Sequence, residues 1–552
     1  MSPAILNPLT RNISRLGLGS YRLALGVPGH ERVVYKALER QKDPRLNINL
    51  IDTSTNYGNG RSEQLIGKVL THPLHNTLSR EELVIATKFG YIQNENLRLM
   101  SEGVFSRVPP EEIVEYSKEC FHSIHPEFMR DQLTRSLERL HTKYVDILFV
   151  HNPEYFLMSN VKGTEVNVKK HQAILLQRLS VLFEELEREI ENGRIRSYGI
   201  SSNSFSLKPS HAHFLPYQDL VKMANSAFEK VKQQKQREHD QYQSSAITSS
   251  SSSNNKKPAH GEVGSHLLAK KGGTSTPLAR PKTVQRTTHG LGFLQMPGNL
   301  LEMEGISTTA KWAKSHGLRV FVNRPLNALS PEIGPVRLAS YPKPESPTFD
   351  QAKDHILHML ESMGKHRDYL QPKMQRLRDM VEELAESLKT DKLSTMQMEG
   401  SLVRHRLQHE LAEPVKAKRP KVHDKKHAST TESTTPESTT SHTTTTSAHS
   451  ATKPSVHEID ELVKSLDRFV LVFNQQVRSQ ESKRVESMLA ERGIDLKGES
   501  IESFAVGYLL DHAQVDSVLL GMKREPYVDF ARKTLESLTP PEAAVEAEAK
   551  SA

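Results

Sequence analysis

The sequence predicts an α/β fold of the (β/α)8 TIM-barrel class, with disordered insertions and an extra helical extension between strands seven and eight. Two observations predict it. Short apolar runs rich in β-branched residues alternate eight times with amphipathic helical patterns along the 552 residues. Two polar stretches, 241–257 and 429–450, cannot build a core, and the alternation is regular once they are set aside. Eight β/α alternations are typical of a closed parallel barrel.

The elements follow in chain order. The strand-like runs are 15–21, 47–52, 83–88, 145–151, 197–202, 291–296, 318–323 and 517–521. Helical spacing is clearest at 129–141, where Leu133, Leu137 and Leu140 recur at i, i+4 and i+7, and at 179–191. A helix over 501–511 leads into the last strand. Between strands seven and eight, the spacing at 355–411 and 459–492 predicts long amphipathic helices, whose apolar stripes pack either on this protein or on a protein partner.

These patterns divide the chain into segments of different character. We expect the first part of the barrel at 1–230, a disordered insertion at 231–289, barrel strands six and seven at 290–340, a helical extension at 341–411, a basic and Ser/Thr-rich linker at 412–456, a second helical extension at 457–500, the last barrel helix and strand eight at 501–537, and a disordered tail at 538–552.

Composition excludes several classes of protein. A single cysteine, Cys120, rules out a disulfide framework, and no apolar run reaches the roughly 18 residues of a membrane span. We therefore expect a soluble, cytoplasmic protein. The basic run 416–426 resembles a nuclear localisation signal, and the first fifteen residues carry Arg11 and Arg15 without an acid, so nuclear and mitochondrial locations are the alternatives. The formal charge of +8 does not point to nucleic acid, although binding through 416–426 is a further alternative.

Polar residues that close the barrel strands are the candidate catalytic groups, because active sites of parallel barrels lie at the carboxyl ends of the strands. Asp52 and Tyr57 follow strand two, Lys88 ends strand three and His151 ends strand four. A tyrosine hydroxyl can donate a proton once its pKa is lowered. We expect Lys88 to lower that pKa, Asp52 to hold Lys88, and His151 to orient or polarise a carbonyl oxygen.

Cys120, His122 and His125 lie close together in sequence, but three such residues without a second pair do not make a zinc pattern. Packing is the simpler interpretation, so we expect no metal site.

The motif from Asp52 to Glu63, D-T-x-x-x-Y-G-x-G-x-S-E, together with Thr-Lys88, His151-Asn152 and the G-I-S-S-N run at 199–203, resembles the aldo-keto reductases. The resemblance implies that Tyr57 is the proton donor, that Lys88 and Asp52 tune it and that His151 orients the substrate. It also implies a nicotinamide cofactor as the source of hydride, because these side chains have no redox capacity.

The resemblance also implies a cofactor site. Its residues would be Ser201, Ser202, Asn203 and Gln295 at the nicotinamide and Gly521, Met522, Lys523 and Arg524 at the phosphates, with Ser201 and Ser202 as alternatives for one contact. The charges of Lys523 and Arg524 favour NADPH, because they suit a 2′-phosphate; NAD is the alternative. Tyr21 and Asn152 would line the substrate pocket.

Two departures from the family concern the pocket. The segment 91–127 is inserted after strand three and should overhang the pocket, and Asn323-Arg324 stands where many members place an aromatic residue. We expect an enzyme that transfers hydride between NADPH and a small aldehyde, ketone or sugar, or oxidises an alcohol. The alternative is a nicotinamide-binding regulatory or scaffold protein that contacts a partner through 341–500.

Overall fold

The computed structural model describes residues 12–161, 164–251, 286–330, 334–365, 367–389, 405 and 454–538. The chain forms two compact units, Met1–Ala328 with Ser503–Ala552 and Leu329–Glu502, which we call the barrel unit and the helical unit. The linker residues 406–453, which contain the basic run 416–426, lie outside the described residues, as do 252–285 of the insertion and 539–552 of the tail.

The barrel unit contains most of the strands. In chain order the strands are β1 (Leu16–Gly19), β2 (Leu50–Asp52), β3 (Val84–Phe89), β4 (Tyr91–Ile92), β5 (Val114–Ser117), β6 (Cys120–His122), β7 (Val145–His151), β8 (Ile195–Ser201), β9 (Leu291–Pro297), β10 (Arg319–Asn323), β11 (Asn327–Ser330), β12 (Gly334–Arg337) and β13 (Ser517–Gly521). A closed barrel runs in the order β1-β13-β10-β9-β8-β7-β3-β2, with parallel pairing. Each of the eight strand-like runs contributes one of its strands, so the predicted TIM barrel is confirmed.

The helices of the barrel unit alternate with its strands, and three further helices, α9 to α11, belong to the helical unit. In chain order the helices are α1 (His30–Ala37), α2 (Arg61–Thr71), α3 (Glu95–Ser101), α4 (Pro126–Arg139), α5 (Tyr155–Asn160), α6 (Glu165–Glu191), α7 (Leu220–Ser251), α8 (Lys311–Ser315), α9 (Phe349–Gly364), α10 (Gln371–Ser387), α11 (Val456–Glu491), α12 (Ile501–Asp511) and α13 (Glu525–Leu538). None of the described helices combines the length and the apolarity that a bilayer span requires.

Large side chains fill the inside of the barrel. Phe149, Phe293 and Phe321 are fully buried there, with ring centroids 5.2 Å apart for Phe293 and Phe321. Gly199 on β8 is required by this packing, because a Cβ atom at that position would lie 2.3 Å from the carbonyl oxygen of Phe293. The barrel is therefore a packed core, and its polar groups collect at the strand ends.

Two segments differ from the simplest expectation. The prediction of a disordered insertion from residue 231 is wrong for 231–251, because α7 continues to Ser251. The Gln, Lys and Glu residues of 231–238 are good helix formers despite their polarity, so low hydrophobicity alone did not end the helix. The segment after strand three holds a small antiparallel sheet in the order β4-β6-β5.

The helical unit has a hydrophobic core of its own. Buried leucines, valines and phenylalanines of α9, α10 and α11 pack together, among them Leu360, Leu377, Phe469 and Phe473. Capping boxes begin α9 and α11, in which Thr348 and Ser455 accept from the backbone of Gln351 and Glu458. The apolar stripes seen in the sequence therefore pack on one another, which leaves their role with a partner a prediction.

Candidate active site

Parallel pairing brings the predicted residues to one end of the barrel. Asp52 ends β2, Lys88 lies near the end of β3, and His151 ends β7 beside Ser201 at the end of β8. Ser201 is in turn in register with Gln295 on β9. Because all these strands run in the same direction, residues scattered over 243 positions of sequence converge on one mouth.

Lys88 is the centre of the candidate acid/base group. Its ammonium group is fully buried and donates to Asp52 Oδ2 at 2.7 Å and to the carbonyl oxygen of Thr53 at 2.9 Å. The hydroxyl of Tyr57 lies 3.3 Å from the same nitrogen. Burial lowers the pKa of Lys88, while the charge of Asp52 opposes that shift. The carboxylate thus keeps a cation in a place from which water is excluded.

Tyr57 is positioned by a turn that its sequence makes possible. Gly58, Asn59 and Gly60 all adopt positive φ, with values of 57°, 59° and 79°, which two glycines and an asparagine tolerate. The turn places the tyrosine ring against Tyr21, with ring centroids 5.1 Å apart in an edge-on arrangement. Tyr21 itself is 65% exposed, so it forms an outer wall of the mouth.

The pKa of Tyr57 moves in the direction opposite to the sequence expectation. Burial raises this pKa well above its ordinary value, and the charge of Asp52 raises it further. The physical reason is that Asp52 already neutralises Lys88, so the ion pair offers the phenolate little net positive charge. Tyr57 is therefore protonated at neutral pH, which is the form that a proton donor needs.

His151 faces Tyr57 across the mouth. Its Nδ1 lies 3.3 Å from Ser54 Oγ, and its ring centroid lies 6.4 Å from that of Tyr57. Burial, followed by the charge of Lys88, lowers the pKa of His151 well below its ordinary value. The imidazole is therefore neutral, with one N–H to donate.

The inserted segment 91–127 supports His151 from behind. His122 Nε2 lies 2.6 Å from the carbonyl oxygen of His151, which fixes that nitrogen as the donor, and the Tyr91 ring lies 4.9 Å from the His151 ring, centroid to centroid. Tyr91 donates to Tyr155 at 2.9 Å and accepts from Asn152 Nδ2 at 2.6 Å. The sequence predicted that the segment lies at the pocket, but it did not single out these side chains.

The predicted nicotinamide residues do not behave alike. Ser201 Oγ donates to Gln295 Oε1 at 2.8 Å, and Gln295 Nε2 donates to Asp52 Oδ1 at 2.8 Å. Ser202 instead accepts from the backbone N–H of Ser204 at 3.1 Å and caps a short turn. The structure thus places Ser201 beside Gln295 at the mouth and uses Ser202 within the loop.

Asn203 lies next to two residues that follow β7. Its Nδ2 approaches Asn152 Oδ1 at 3.4 Å, and its backbone N–H donates to Glu154 Oε1 at 2.9 Å. Asn152 adopts a positive φ of 50°, which asparagine tolerates better than most residues. Nothing in the sequence indicated a role for Glu154, although this residue belongs to the H-N-P-E run at 151–154.

The predicted phosphate segment lies at the end of β13. Gly521 is in register with Gly19 of β1, and Met522 is buried. Lys523 and Arg524 follow immediately before α13, with Arg524 exposed. A helix N-terminus carries partial positive charge, so this corner of the barrel suits an anion.

Residues 15–319 match the model of the aldo/keto reductase family. Over 146 residues the chain is 30% identical to an NADH-specific methylglyoxal reductase of Escherichia coli, covering 25% of this chain and 38% of that protein. Over 108 residues it is 35% identical to a D-arabinose 1-dehydrogenase of Saccharomyces cerevisiae, covering 20% and 24%. The chain thus spans well under half the length of either relative.

Among solved structures, the holo form of an aldo-keto reductase from Bacillus halodurans superimposes with a TM-score of 0.38 and 14% identity, over 96% of this chain and 89% of that one. The family match covers more than half of the chain and contains the strands that carry Asp52, Lys88, His151 and Ser201. The protein belongs to the aldo/keto reductase family.

Proposed function

We propose that this protein is an NADP(H)-dependent oxidoreductase that transfers hydride between the nicotinamide and the carbonyl carbon of an aldehyde, ketone or sugar, or runs the reverse oxidation of an alcohol. Tyr57 exchanges the proton with the substrate oxygen. The observation that carries the proposal is the contact of Lys88 Nζ with both Asp52, at 2.7 Å, and the Tyr57 hydroxyl, at 3.3 Å. Family membership supports the oxidoreductase class.

The polar groups at the mouth suit a nicotinamide carboxamide, which has one acceptor and two N–H donors. Ser201, Asn203 and Gln295 offer a hydroxyl and two amides at neighbouring strand ends. The buried Oδ1 of Asn323 has no hydrogen-bond partner within the described part of the chain, and an unsatisfied buried acceptor fits a donor from a ligand. When bound there, the cofactor supplies the hydride.

The proton chemistry belongs to the side chains. Burial keeps Tyr57 protonated, so its hydroxyl can donate to a carbonyl oxygen that gains charge. Lys88 Nζ lies 3.3 Å from the Tyr57 oxygen and can donate a hydrogen bond to it as the phenolate forms. The neutral His151 contributes an N–H to the same oxygen, provided that Nδ1 accepts from Ser54 and Nε2 carries the proton.

The preference for NADPH over NADH is the finer part of the proposal. Lys523 and Arg524 together supply two cations directly before a helix N-terminus. Arginine can bind a phosphate group by two parallel hydrogen bonds, and NADH has no phosphate group at the 2′ position. The name of the Escherichia coli relative gives the opposite preference for that protein, so both cofactors belong in the test.

The test is titration of the full chain with NADPH and NADH by nicotinamide fluorescence, followed by mixing with a panel of aldehydes, ketones and sugars. We expect tighter binding of NADPH and loss of the reduced-nicotinamide signal with at least one carbonyl. Binding without turnover would favour the regulatory or scaffold function. Failure to bind either cofactor would contradict the proposal.

A further inference from the structure

One buried acid at the mouth has no part in the proton chemistry described above. Glu154 follows β7 by three residues and is 2% exposed. Within the described residues no arginine or lysine forms an ion pair with it. Burial raises the pKa of this carboxyl to about 7, and hydrogen bonds from the 202–204 loop and from its own backbone oppose the shift. Burying an acid without a cation is costly, so another interaction must favour Glu154 at this position.

The reason lies in the backbone of the neighbouring loop. Asn152 N–H donates to Ser201 O at 2.7 Å, and Ser202 N–H donates to Gln295 O at 3.0 Å, so main-chain pairing continues to the end of β8. The next backbone donor along the chain, the N–H of the exposed residue Asn203, lies beyond the last strand pair. Glu154 Oε1 accepts from it at 2.9 Å. This backbone N–H has no neighbouring strand to pair with, and the buried carboxyl of Glu154 is its partner.

The side chains on either side of this contact point to different partners. Ser201 faces Gln295, Ser202 turns back into the loop, and Asn203 points its amide at Asn152. We propose that Glu154 is the positioning residue of the nicotinamide half of the site: through the Asn203 N–H it holds Ser201 and Asn203 in the arrangement that receives the carboxamide. This inference rests on the proposed function.

Three variants at position 154 distinguish the effect of side-chain length from the effect of the negative charge. Glu154→Ala removes the acceptor, Glu154→Asp keeps the charge but is one methylene too short to reach Asn203, and Glu154→Gln keeps an oxygen at the right distance without the charge. We expect the Kd of NADPH to rise roughly tenfold in the Ala and Asp variants and to stay within about threefold in the Gln variant. At saturating NADPH, kcat should change little, since the Tyr57 group is untouched.

Adenosine 2′,5′-bisphosphate, which lacks the nicotinamide, shows which half of the site is affected. Its affinity should be the same in all variants and in the wild type. The matched control is Glu187→Ala: Glu187 is also fully buried and also accepts a backbone N–H, that of Gly290 at 2.8 Å, but at the opposite end of the barrel. It should lower the melting temperature and leave both affinities unchanged.

The outcomes distinguish the two proposals. Weaker NADPH binding in the Ala and Asp variants, with rescue by Gln and unchanged bisphosphate binding, supports the inference. Equal losses for both ligands, an equal loss in Glu187→Ala, or retention by Asp with loss by Gln would overturn it. If Glu154→Ala does not fold, the comparison of NADPH binding between Glu154→Asp and Glu154→Gln is sufficient to test the inference. A wild-type chain that binds the bisphosphate but not NADPH would contradict the proposed function itself.

Discussion

Most buried acids at the two ends of the barrel differ in their partners, and Glu63, which pairs with Arg139 at 2.7 Å near the carboxyl end of β3, is an exception. At the amino-terminal ends of the strands, each of three buried acids has an arginine partner: Asp146 with Arg80 at 2.8 Å, Glu187 with Arg286 at 2.6 Å and Glu189 with Arg194 at 2.6 Å. At the carboxyl ends, Asp52 shares Lys88 with the Tyr57 hydroxyl, and Glu154 is held by a backbone N–H.

We expect the arginine-paired acids to contribute to stability and the acids at the carboxyl end to contribute to the candidate active site. A buried acid paired with an arginine keeps its charge in a fixed place, and losing the arginine leaves that charge uncompensated. At the carboxyl end, Glu154 has no arginine or lysine partner among the described residues and burial raises its pKa to about 7, whereas Asp52 pairs with a lysine that also contacts the Tyr57 hydroxyl. Substitutions at the two ends should therefore differ in whether they change turnover or stability.

Tyr57→Phe should affect only the chemistry of the carboxyl end. Without the hydroxyl no proton reaches the substrate oxygen, so carbonyl reduction should fall by roughly 10² to 10⁴-fold. The Kd of NADPH should change less than about twofold, because the hydroxyl contacts Lys88 and not the Ser201 to Gln295 group. Stopped-flow reduction and fluorescence titration measure the two effects. Turnover equal to that of wild type would rule out Tyr57 as the donor.

Arg194→Met should affect only stability. It leaves Glu189, which is 1% exposed, without its two-point partner at 2.6 and 2.7 Å, so the free energy of unfolding should fall by about 3 kcal/mol. Urea denaturation measures the fall, and kcat/KM should stay near the wild-type value. Adding Glu189→Gln to this variant should restore part of the loss. If the variant were as stable as wild type but slower in turnover, the assignment of Arg194 and Glu189 to stability alone would be wrong.

The pH dependence of stability should reveal Glu154. Its folded pKa of about 7 lies above its ordinary value, so the folded state binds the extra proton and this residue makes stability fall as pH rises from about 4.5 to 7. The fall should amount to at most about 3 kcal/mol. His122, whose pKa burial lowers to about 4, makes stability rise with pH over part of that window.

The contributions of Glu154 and His122 to the pH dependence of stability have opposite signs, so they would partly cancel in the wild-type protein. The measurement is therefore the difference between wild type and Glu154→Gln in the free energy of unfolding at pH 5 and pH 7.5. The Gln variant should gain relative stability at the higher pH. A difference that does not depend on pH would show that the carboxyl titrates normally.

Arg524→Ala should give the smallest effect. The side chain is exposed, so its loss should not change stability, but NADPH binding should weaken about tenfold while NADH binding stays within about twofold. Parallel titrations with the two cofactors measure the ratio. Equal losses for both would mean that Arg524 does not read the 2′-phosphate.

Local patterns account for what could be predicted. The barrel strands appeared as apolar runs because burial on both faces requires it, and Asp52, Lys88 and His151 were found as the polar residues that close them. The extent of α7 was missed because polar composition and helix propensity gave opposite indications over 231–251. The contacts of Tyr91 and His122 with His151 join positions 29 or more residues apart, so no local pattern announces them.

Hydrophobic periodicity and parallel connections can be recognised along the chain, so the barrel, its strand direction and the end at which the candidate catalytic groups collect could be predicted from the sequence. The ionisation and the hydrogen-bond partners of those groups depend on contacts that form only in the folded protein. The pKa of Tyr57 is raised because burial outweighs a lysine already neutralised by Asp52. Ser201 at the end of β8 and Ser202 just after it take different partners, Gln295 and the backbone of Ser204, where Glu154 accepts the next backbone N–H. Desolvation and the geometry of a loop depend on neighbours distant in the chain, which no single segment encodes.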